Sequence, residues 1–220
     1  WLRNLLERIG RSIYAFWDEL LWACEFAGRL VFAIGRAFRH PSRLRGISLA
    51  RAMETAGVNA LPIIFIMNFF IGTVVALVGA NLLGSLGFTV YTVQLVGVAV
   101  LREFAVLFTA ILLPGRSASS FAAQIGTMKM NQEIDAMQVM GVDQFDALVV
   151  PRVLALIWMM PLLTFVAMIA GVSGGLLVSW VALDMSPIFF IERMRETVSI
   201  RQFWIGMVKT PLLALLIAMA

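Results

Sequence analysis

Two adjacent charged residues, Arg102 and Glu103, lie within an otherwise apolar stretch of the sequence. A lone charge inside a membrane-spanning helix costs about 2.5–3.5 kcal/mol on insertion scales, so these side chains are expected to face protein or water. They could form an ion pair, with each other or with another helix, that fixes helix packing. Alternatively, they could line a polar cavity for a substrate, which is the default interpretation of intramembrane charge.

Lys209 and Asn68 are further polar residues in apolar stretches, and they raise the same question. Lys209 could extend to the outer membrane interface, because it follows the predicted start of its helix by only a turn or two. Asn68 could hydrogen-bond to a neighbouring helix. The alternative for both residues is that they line the same cavity as Arg102 and Glu103.

A second charged group occurs in "NQEIDAMQVMG", which is predicted to form a short helix over about 131–141. Asn131 can cap its start, Glu133 and Asp135 suit the positive end of its dipole, and Gly141 can end it. A helix of about 10 residues spans roughly 15 Å, too little to cross a bilayer. Its apolar side suits a connector packed on its own domain or, alternatively, a partner's groove. That side comprises Met128, Met130, Ile134, Met137, Val139 and Met140.

The motifs of common catalytic sites are missing from the sequence. It has no phosphate-binding Gly-x-x-x-x-Gly-Lys-Ser/Thr loop and no Ser/His/Asp or two-carboxylate constellation. The only cysteine, Cys24, excludes an internal disulfide and has no neighbours suited to a metal site. We therefore expect no catalytic residue, no metal site and no cofactor in this chain.

The helices that position these residues are predicted to span a membrane. The chain is 61% hydrophobic, whereas soluble domains contain roughly 45–50% apolar residues. No charged residue occurs between Glu54 and Arg102 or between Arg152 and Asp184. Glycines 79, 84 and 87, with Asn81 and Ser85, predict a turn between the first two spans. The predicted spans cover about 57–79, about 90–113, about 153–183, and a fourth from near Phe203, with residues 128–152 as a connection.

The second helix is expected to continue past Pro114-Gly115, where it has to kink or project beyond the bilayer. A short helix is predicted outside the membrane after Ser186-Pro187. The small residues beyond Gly115 suit close approach to another helix.

Residues 1–38 repeat apolar positions at helical spacing, with charges on the other side. This amphipathic helix is predicted to lie in the membrane interface, although its apolar stripe could instead pack on protein. Basic residues precede the first span, which predicts a cytoplasmic N-terminus and argues against nucleic-acid binding. The basic residues are Arg29, Arg36, Arg39, Arg43, Arg45 and Arg51. The expected organisation is an interfacial segment at 1–45 and a transmembrane domain at 46–220.

The stretch "LLPGRSASSFAAQIGTMKMNQEIDAMQVMGVDQFDALVVPRVLA" closely resembles the signature region of the MlaE/YrbE family of ABC-transporter permeases. Weaker similarity extends across nearly all of the chain. Two departures are Phe104-Ala105 in place of the usual Gly-Pro, and Pro114 ahead of Gly115-Arg116; they predict a displaced kink. The resemblance implies an all-α polytopic permease with a fifth span that is absent here.

The resemblance also implies a function and partners. Family members move lipids between the inner and outer membranes of Gram-negative bacteria, as a permease dimer in the inner membrane. Their partners are a pair of cytoplasmic ATPases, which would bind ATP and Mg, and an external ring of MCE-domain subunits; a STAS-domain subunit is a further expected partner. No nucleic acid is expected.

Residue roles follow from the same resemblance. Arg102 and Glu103 would lie near the outward-opening lipid cavity. Asn68 and Lys209 are further predicted cavity residues because they are polar residues in apolar stretches, not because of the resemblance. Rival interpretations are an ion-coupled secondary transporter and a non-transporting membrane scaffold, although the inverted repeats of many such transporters are not evident. The helix predicted to dock on the ATPase comprises Glu133, Ile134, Asp135, Ala136, Met137, Val139, Met140, Gly141, Val142 and Asp143.

Overall fold

The computed structural model describes residues 2–39, 46–141, 143 and 145–219, and every regular element in these ranges is helical. A 3₁₀ turn at Val58–Ala60 precedes α3, and π-helical turns at Val100–Phe104 and Phe145–Val149 lead into α5 and α7. The all-α prediction is confirmed. The helices are α1 (Leu2–Arg39), α2 (Gly46–Ala56), α3 (Leu61–Ser85), α4 (Tyr91–Ala99), α5 (Ala105–Met130), α6 (Glu133–Val139), α7 (Val150–Leu183), α8 (Pro187–Thr197) and α9 (Ile200–Met219).

Within the described residues, four helical segments are long and apolar enough to cross a membrane, as the sequence predicts. They are Gly46–Ser85, Tyr91–Met130, Ala147–Leu183 and Ile200–Ala218. Large apolar side chains such as Phe70, Trp158 and Trp204 are exposed along them. Contiguous apolar surface of this kind would be unstable in water. The chain is therefore a polytopic membrane protein.

The central element is α7, which packs against α2, α3, α5 and α9. Its closest neighbour is α3, and glycines make that approach possible. A Cβ added at Gly72 would lie 1.9 Å from the carbonyl oxygen of Gly171, and one added at Gly174 would lie 2.1 Å from that of Phe69. Only residues without a side chain allow two backbones to come this close.

The structure corrects the predicted turn between the first two spans. Helix α3 continues to Ser85, so Gly79, Asn81 and Gly84 are helical, and the turn comprises residues 86–90 with Gly87 at φ 77°. Gly79 instead admits a neighbour, because a Cβ placed there would lie 3.0 Å from a methyl group of Leu95. Close helix packing, not turn geometry, explains this glycine.

The predicted connection at 128–152 is also shorter than expected. Helix α5 runs to Met130, and helical structure resumes at Phe145. Pro151 lies at the start of α7, directly after the π-helical turn Phe145–Val149. Pro114 lies within α5, and the 40-residue helical segment from Tyr91 continues past it, as predicted.

Helix α1 forms over the predicted range, and its C-terminal part packs on the start of α7. Leu30 and Ala33 are buried, and Ala33 contacts a cluster that includes Val150 and Leu154. Tyr14, Trp17 and Trp22 remain exposed, as an interfacial helix requires. The interfacial location and the boundary at residue 45 remain predictions. Residues 40–45, with Arg43 and Arg45 of the basic cluster, lie outside the described ranges.

Helix α8 begins where Ser186-Pro187 predicts, and the Ser186 hydroxyl accepts a hydrogen bond from the Phe189 N–H at 3.2 Å. The segment after α8 packs against α4, since a Cβ at Gly97 would lie 2.6 Å from Val198. This contact places α8 on the same side of the protein as the turn 86–90, which joins α3 to α4.

Candidate functional site

Three charged residues from two helical segments form one cluster within the predicted spans. The Lys209 ammonium on α9 donates to both carboxylate oxygens of Glu103, at 2.9 and 3.0 Å. The Arg102 Nε donates to the same carboxylate at 3.1 Å. Both ion pairs considered from the sequence therefore exist, one between adjacent residues and one between helices. The carboxylate neutralises one of the two cations, which leaves the cluster with one net positive charge.

The π-helical turn Val100–Phe104 carries Arg102 and Glu103 and brings them to α9. Its widened backbone meets Gly206, where an added Cβ would lie 2.3 Å from the Leu101 carbonyl oxygen. Lys209 follows Gly206 by three residues, about one helical turn, and therefore lies near the same face of α9. Inserted π turns occur frequently at functional sites.

The cluster is partly exposed on the surface of the chain. The side chains of Arg102, Glu103 and Lys209 are 46%, 45% and 40% exposed. The Lys209 ammonium is bound by Glu103, and its extension to the membrane interface stays a prediction. A charged cluster this open is suited to line a space that a second molecule or chain also lines.

Asn68 does not belong to this cluster. Its side chain is 2% exposed, and its Nδ2 donates to the Ile64 carbonyl oxygen of its own helix at 2.9 Å. The backbone carbonyl oxygen of Asn68 faces Gly171 of α7. Its position does not support a cavity-lining role or the predicted hydrogen bond to a neighbouring helix; it belongs to the α3–α7 contact.

The short helix α6 covers Glu133–Val139, within the predicted range, but Asn131 does not cap it. Asn131 ends α5, and the residue before α6 is Gln132, in the left-handed conformation at φ 58°. The Asn131 Nδ2 instead donates to the Glu133 carboxylate at 3.3 Å. Only two residues separate the helices, and because Asn131 ends α5, Gln132 takes the position before α6. The prediction that Gly141 ends the helix is confirmed, since it has φ 71° and its N–H donates to the Gln138 carbonyl oxygen.

Apolar side chains on α6 and its flanks are open to solvent in the single chain. Val139 is 89% and Met140 70% exposed, and Met130 is exposed beside them. Ile134 and Met137 are half-buried, whereas Glu133 and Asp135 are exposed. A connector that packed fully on its own domain would bury this apolar side. The exposed methionines form a soft surface suited to a partner.

Asp143 lies beyond the end of α6, outside the helix that the resemblance predicted to include it. Its carboxylate accepts a hydrogen bond from the Phe145 N–H at 2.9 Å and so caps the helical segment that leads into α7. Val142 lies outside the described residues. Asp143 therefore joins the chain that leaves α6 to the start of the helical segment of α7.

Substitution of Gly141 by alanine is expected to fray the end of α6. A left-handed conformation costs a residue with a side chain roughly 1–2 kcal/mol. Hydrogen exchange of the α6 amides should accelerate about tenfold. Gly126→Ala on the exposed, helical part of α5 is the matched control, because a Cβ there meets nothing within 4 Å. Equal protection in both variants would contradict the expectation.

Sequence reasoning missed a cleft of about 1190 Å³ between α2, the second half of α5 and the start of α7. Arg51, Glu54 and Arg152 contribute its charges. The Arg152 guanidinium donates to the Leu148 carbonyl oxygen at 3.3 Å and to Gln124 at 3.4 Å, and it lies 5.3 Å from the centre of the Phe121 ring. The sequence feature that could have indicated this cleft is Arg152, a charged residue directly before a long apolar run.

Comparison with known proteins identifies the family. A family model described as Permease MlaE matches residues 49–220. A probable ABC transporter permease protein of Synechocystis is 30% identical over 86% of this chain and 71% of its own length. The intermembrane phospholipid transport system permease protein MlaE of Haemophilus influenzae is 30% identical over 89% of this chain and 73% of its own length. The match includes both the charged cluster and α6, and the chain therefore belongs to the MlaE permease family.

Proposed function

We propose that this chain is the permease subunit of an ABC transporter that moves phospholipid or a related lipid between two membranes. The observation that carries the proposal is the exposed, charged Arg102–Glu103–Lys209 cluster on an otherwise apolar surface. A lipid needs an apolar slot and a cationic contact for its phosphate, not a polar cage. The Haemophilus relative is named for phospholipid transport, which supports this substrate class.

The slot would form between two copies of the chain. Exposed apolar residues on α5, such as Leu107 and Ile111, flank the cluster along the same helix. A second copy facing this surface would enclose acyl chains between apolar helices, with Arg102 and Lys209 near the headgroup. The cluster's one net positive charge complements a phosphate diester.

Energy would come from a separate ATPase that docks on α6. The exposed Val139 and Met140 provide the apolar contact, and Glu133 and Asp135 add a negative charge for a basic groove. ATP and Mg would be bound by that partner, and this chain would be a transport subunit without catalytic residues of its own. The capped link from Asp143 to α7 offers a route by which movement of α6 reaches the central helix.

The same proposal places the chain in the bacterial inner membrane, with its N-terminus and α6 on the cytoplasmic side. The basic residues before the first span support this orientation. Helix α8 and the turn 86–90 would then face the periplasm, where MCE-domain subunits are the expected partners. A STAS-domain subunit would be a further cytoplasmic partner.

Charge reversal on α6 tests the proposal. The variant Glu133→Lys/Asp135→Lys, assembled with its ATPase in vesicles, is expected to transfer at least tenfold less lipid per ATP hydrolysed, because the changed charges oppose those of the groove. Fluorescent-lipid transfer and phosphate release, measured on the same vesicles, give the ratio.

The matched control is Glu192→Lys, which reverses an exposed charge on α8 at the other end of the molecule. Its ratio should stay at the wild-type value. A secondary transporter would keep lipid-independent, ion-driven transport in both variants, and a scaffold would show no lipid transfer in the wild type. Either result would refute the permease proposal.

A further inference from the structure

The cleft between α2, α5 and α7 lies near one end of the membrane-spanning helices. Tyr91 to Phe121 is 30 residues by number, which corresponds to about 45 Å of helix at 1.5 Å per residue. A bilayer with its headgroups is about 40–45 Å thick, and spanning helices tilt by about 20°. The cleft is therefore level with the headgroups of the leaflet opposite the turn 86–90. In the orientation proposed above, this is the cytoplasmic leaflet.

The charges of the cleft favour an anion. Two arginines, Arg51 and Arg152, and one glutamate, Glu54, line the same opening. Within the described part of the chain, Arg51 has no hydrogen-bond or ion-pair partner. The cleft therefore has one positive charge in excess, and the Arg51 guanidinium has no partner among the described residues.

The contacts of Arg152 leave several of its guanidinium N–H groups without an acceptor among the described residues. Its guanidinium makes two hydrogen bonds, to Leu148 and Gln124, and lies against the Phe121 ring. Arginine has five N–H donors, so three remain available. A planar guanidinium fixed in this way matches phosphate oxygens.

Besides the polar side chains of Ser48, Thr55, Asn59, Ser120, Gln124 and Thr127, the lining has an apolar surface formed by Ile47, Ala52, Phe121, Met128 and Leu148. A free phosphate ion gains nothing from such a surface, whereas the glycerol and first acyl carbons of a lipid do. We propose that this cleft binds the phosphate headgroup and the adjoining acyl segment of a phospholipid from the same leaflet.

This site is separate from the Glu103 cluster. Glu103 and Phe121 are 18 residues apart, about 27 Å along the helix. The inference depends only on the chain spanning a membrane. Its test needs neither the ATPase nor transport, so its failure would leave the proposed function standing.

Photo-crosslinking of the purified full chain tests the inference. Phosphatidylglycerol and diacylglycerol, each with the same photoactivatable acyl chain, are added in detergent, and labelled peptides are mapped by mass spectrometry. Phosphatidylglycerol is expected to label residues 46–55 and 120–128 about fivefold more than diacylglycerol does, because only the former has a phosphate. Inorganic phosphate at millimolar concentration should not displace it.

Variants assign the effect to the charges. Arg51→Gln and Arg152→Gln should each lower this labelling about fivefold, whereas Glu54→Gln should raise it, because it removes the opposing carboxylate. Labelling near the exposed Leu107 should not change in any of them. Arg195→Gln, an exposed arginine on α8, is the matched control. If an arginine variant does not fold, the expected increase in labelling of Glu54→Gln still tests the role of charge.

Several outcomes would overturn the inference. Equal labelling by diacylglycerol would show that the phosphate is not recognised, and displacement by inorganic phosphate would indicate an ion site. Unchanged labelling in the arginine variants, or a decrease in Glu54→Gln, would remove the charge argument. No labelling of the cleft by either lipid in folded wild-type protein would favour a protein segment as the occupant.

Discussion

Gly174→Ala is expected to lower the melting temperature of the purified protein by about 4–8 °C, which corresponds to a net cost of about 2 kcal/mol at the upper end of the overpacking range. Its added methyl group would lie 2.1 Å from the Phe69 carbonyl oxygen and 2.9 Å from the Thr73 hydroxyl. A backbone carbonyl cannot rotate away as a side chain can, so α3 and α7 have to separate. Overpacking of this kind costs about 1–3 kcal/mol or more. Alanine's higher helix propensity returns only about 1 kcal/mol, so the net effect is destabilising.

The matched control is Gly115→Ala on α5, where an added Cβ meets nothing within 4 Å. Helix propensity then acts alone, and this variant should melt at or above the wild-type temperature. Gly72→Ala should behave like Gly174→Ala, because its Cβ would approach the Gly171 carbonyl oxygen. Melting of Gly174→Ala at the wild-type temperature would show that the α3–α7 contact is looser than described.

Glu103→Gln is expected to have the second large effect, on both stability and lipid transfer. The change removes the carboxylate that Arg102 and Lys209 share. Two cations would remain without an anion inside a membrane span, which is costlier than losing either cation. Lipid transfer should fall by about tenfold or more. Lys209→Gln should be milder, because Arg102 remains paired with Glu103.

The double variant Glu103→Gln/Lys209→Gln distinguishes this explanation from a simple loss of contacts. Removing Lys209 from the Glu103→Gln protein takes away an unpaired cation, so the double variant should melt above Glu103→Gln. If the two substitutions acted independently, their destabilising effects would add, and the double variant would be less stable than either single variant. Glu192→Gln on α8 serves as the control for neutralising an exposed carboxylate. An additive result would contradict the shared-carboxylate interpretation.

The apolar spans were predictable because the bilayer imposes a length and a composition that the sequence has to meet. The N-terminal helix, α8 and the end of α6 at Gly141 were predictable from local spacing and from capping residues. Glu103 and Lys209 are 106 residues apart, and no local pattern reports that contact. The position of α9 depends on the π turn and on Gly206, and both are properties of the packed helices.

Errors in the prediction also have identifiable causes. Gly79 and Gly84 were assigned to a turn because glycine serves both turns and close helix contacts, and periodicity alone does not distinguish them. Asn131 was assigned as a cap for α6, although it ends α5. The cleft was missed because its walls come from α2, α5 and α7, which are distant in sequence.

The unbroken helical segment from Tyr91 to Met130 is 40 residues long, about 60 Å at 1.5 Å per residue. Such a rod amplifies small rotations. A tilt of about 5° about its Tyr91 end would displace its Met130 end by about 5 Å, close to the pitch of an α-helix. Glu103 lies about 18 Å from that pivot and would shift by only about 1.5 Å. A large displacement of the Met130 end, next to α6, would therefore move the charged cluster by only a small distance.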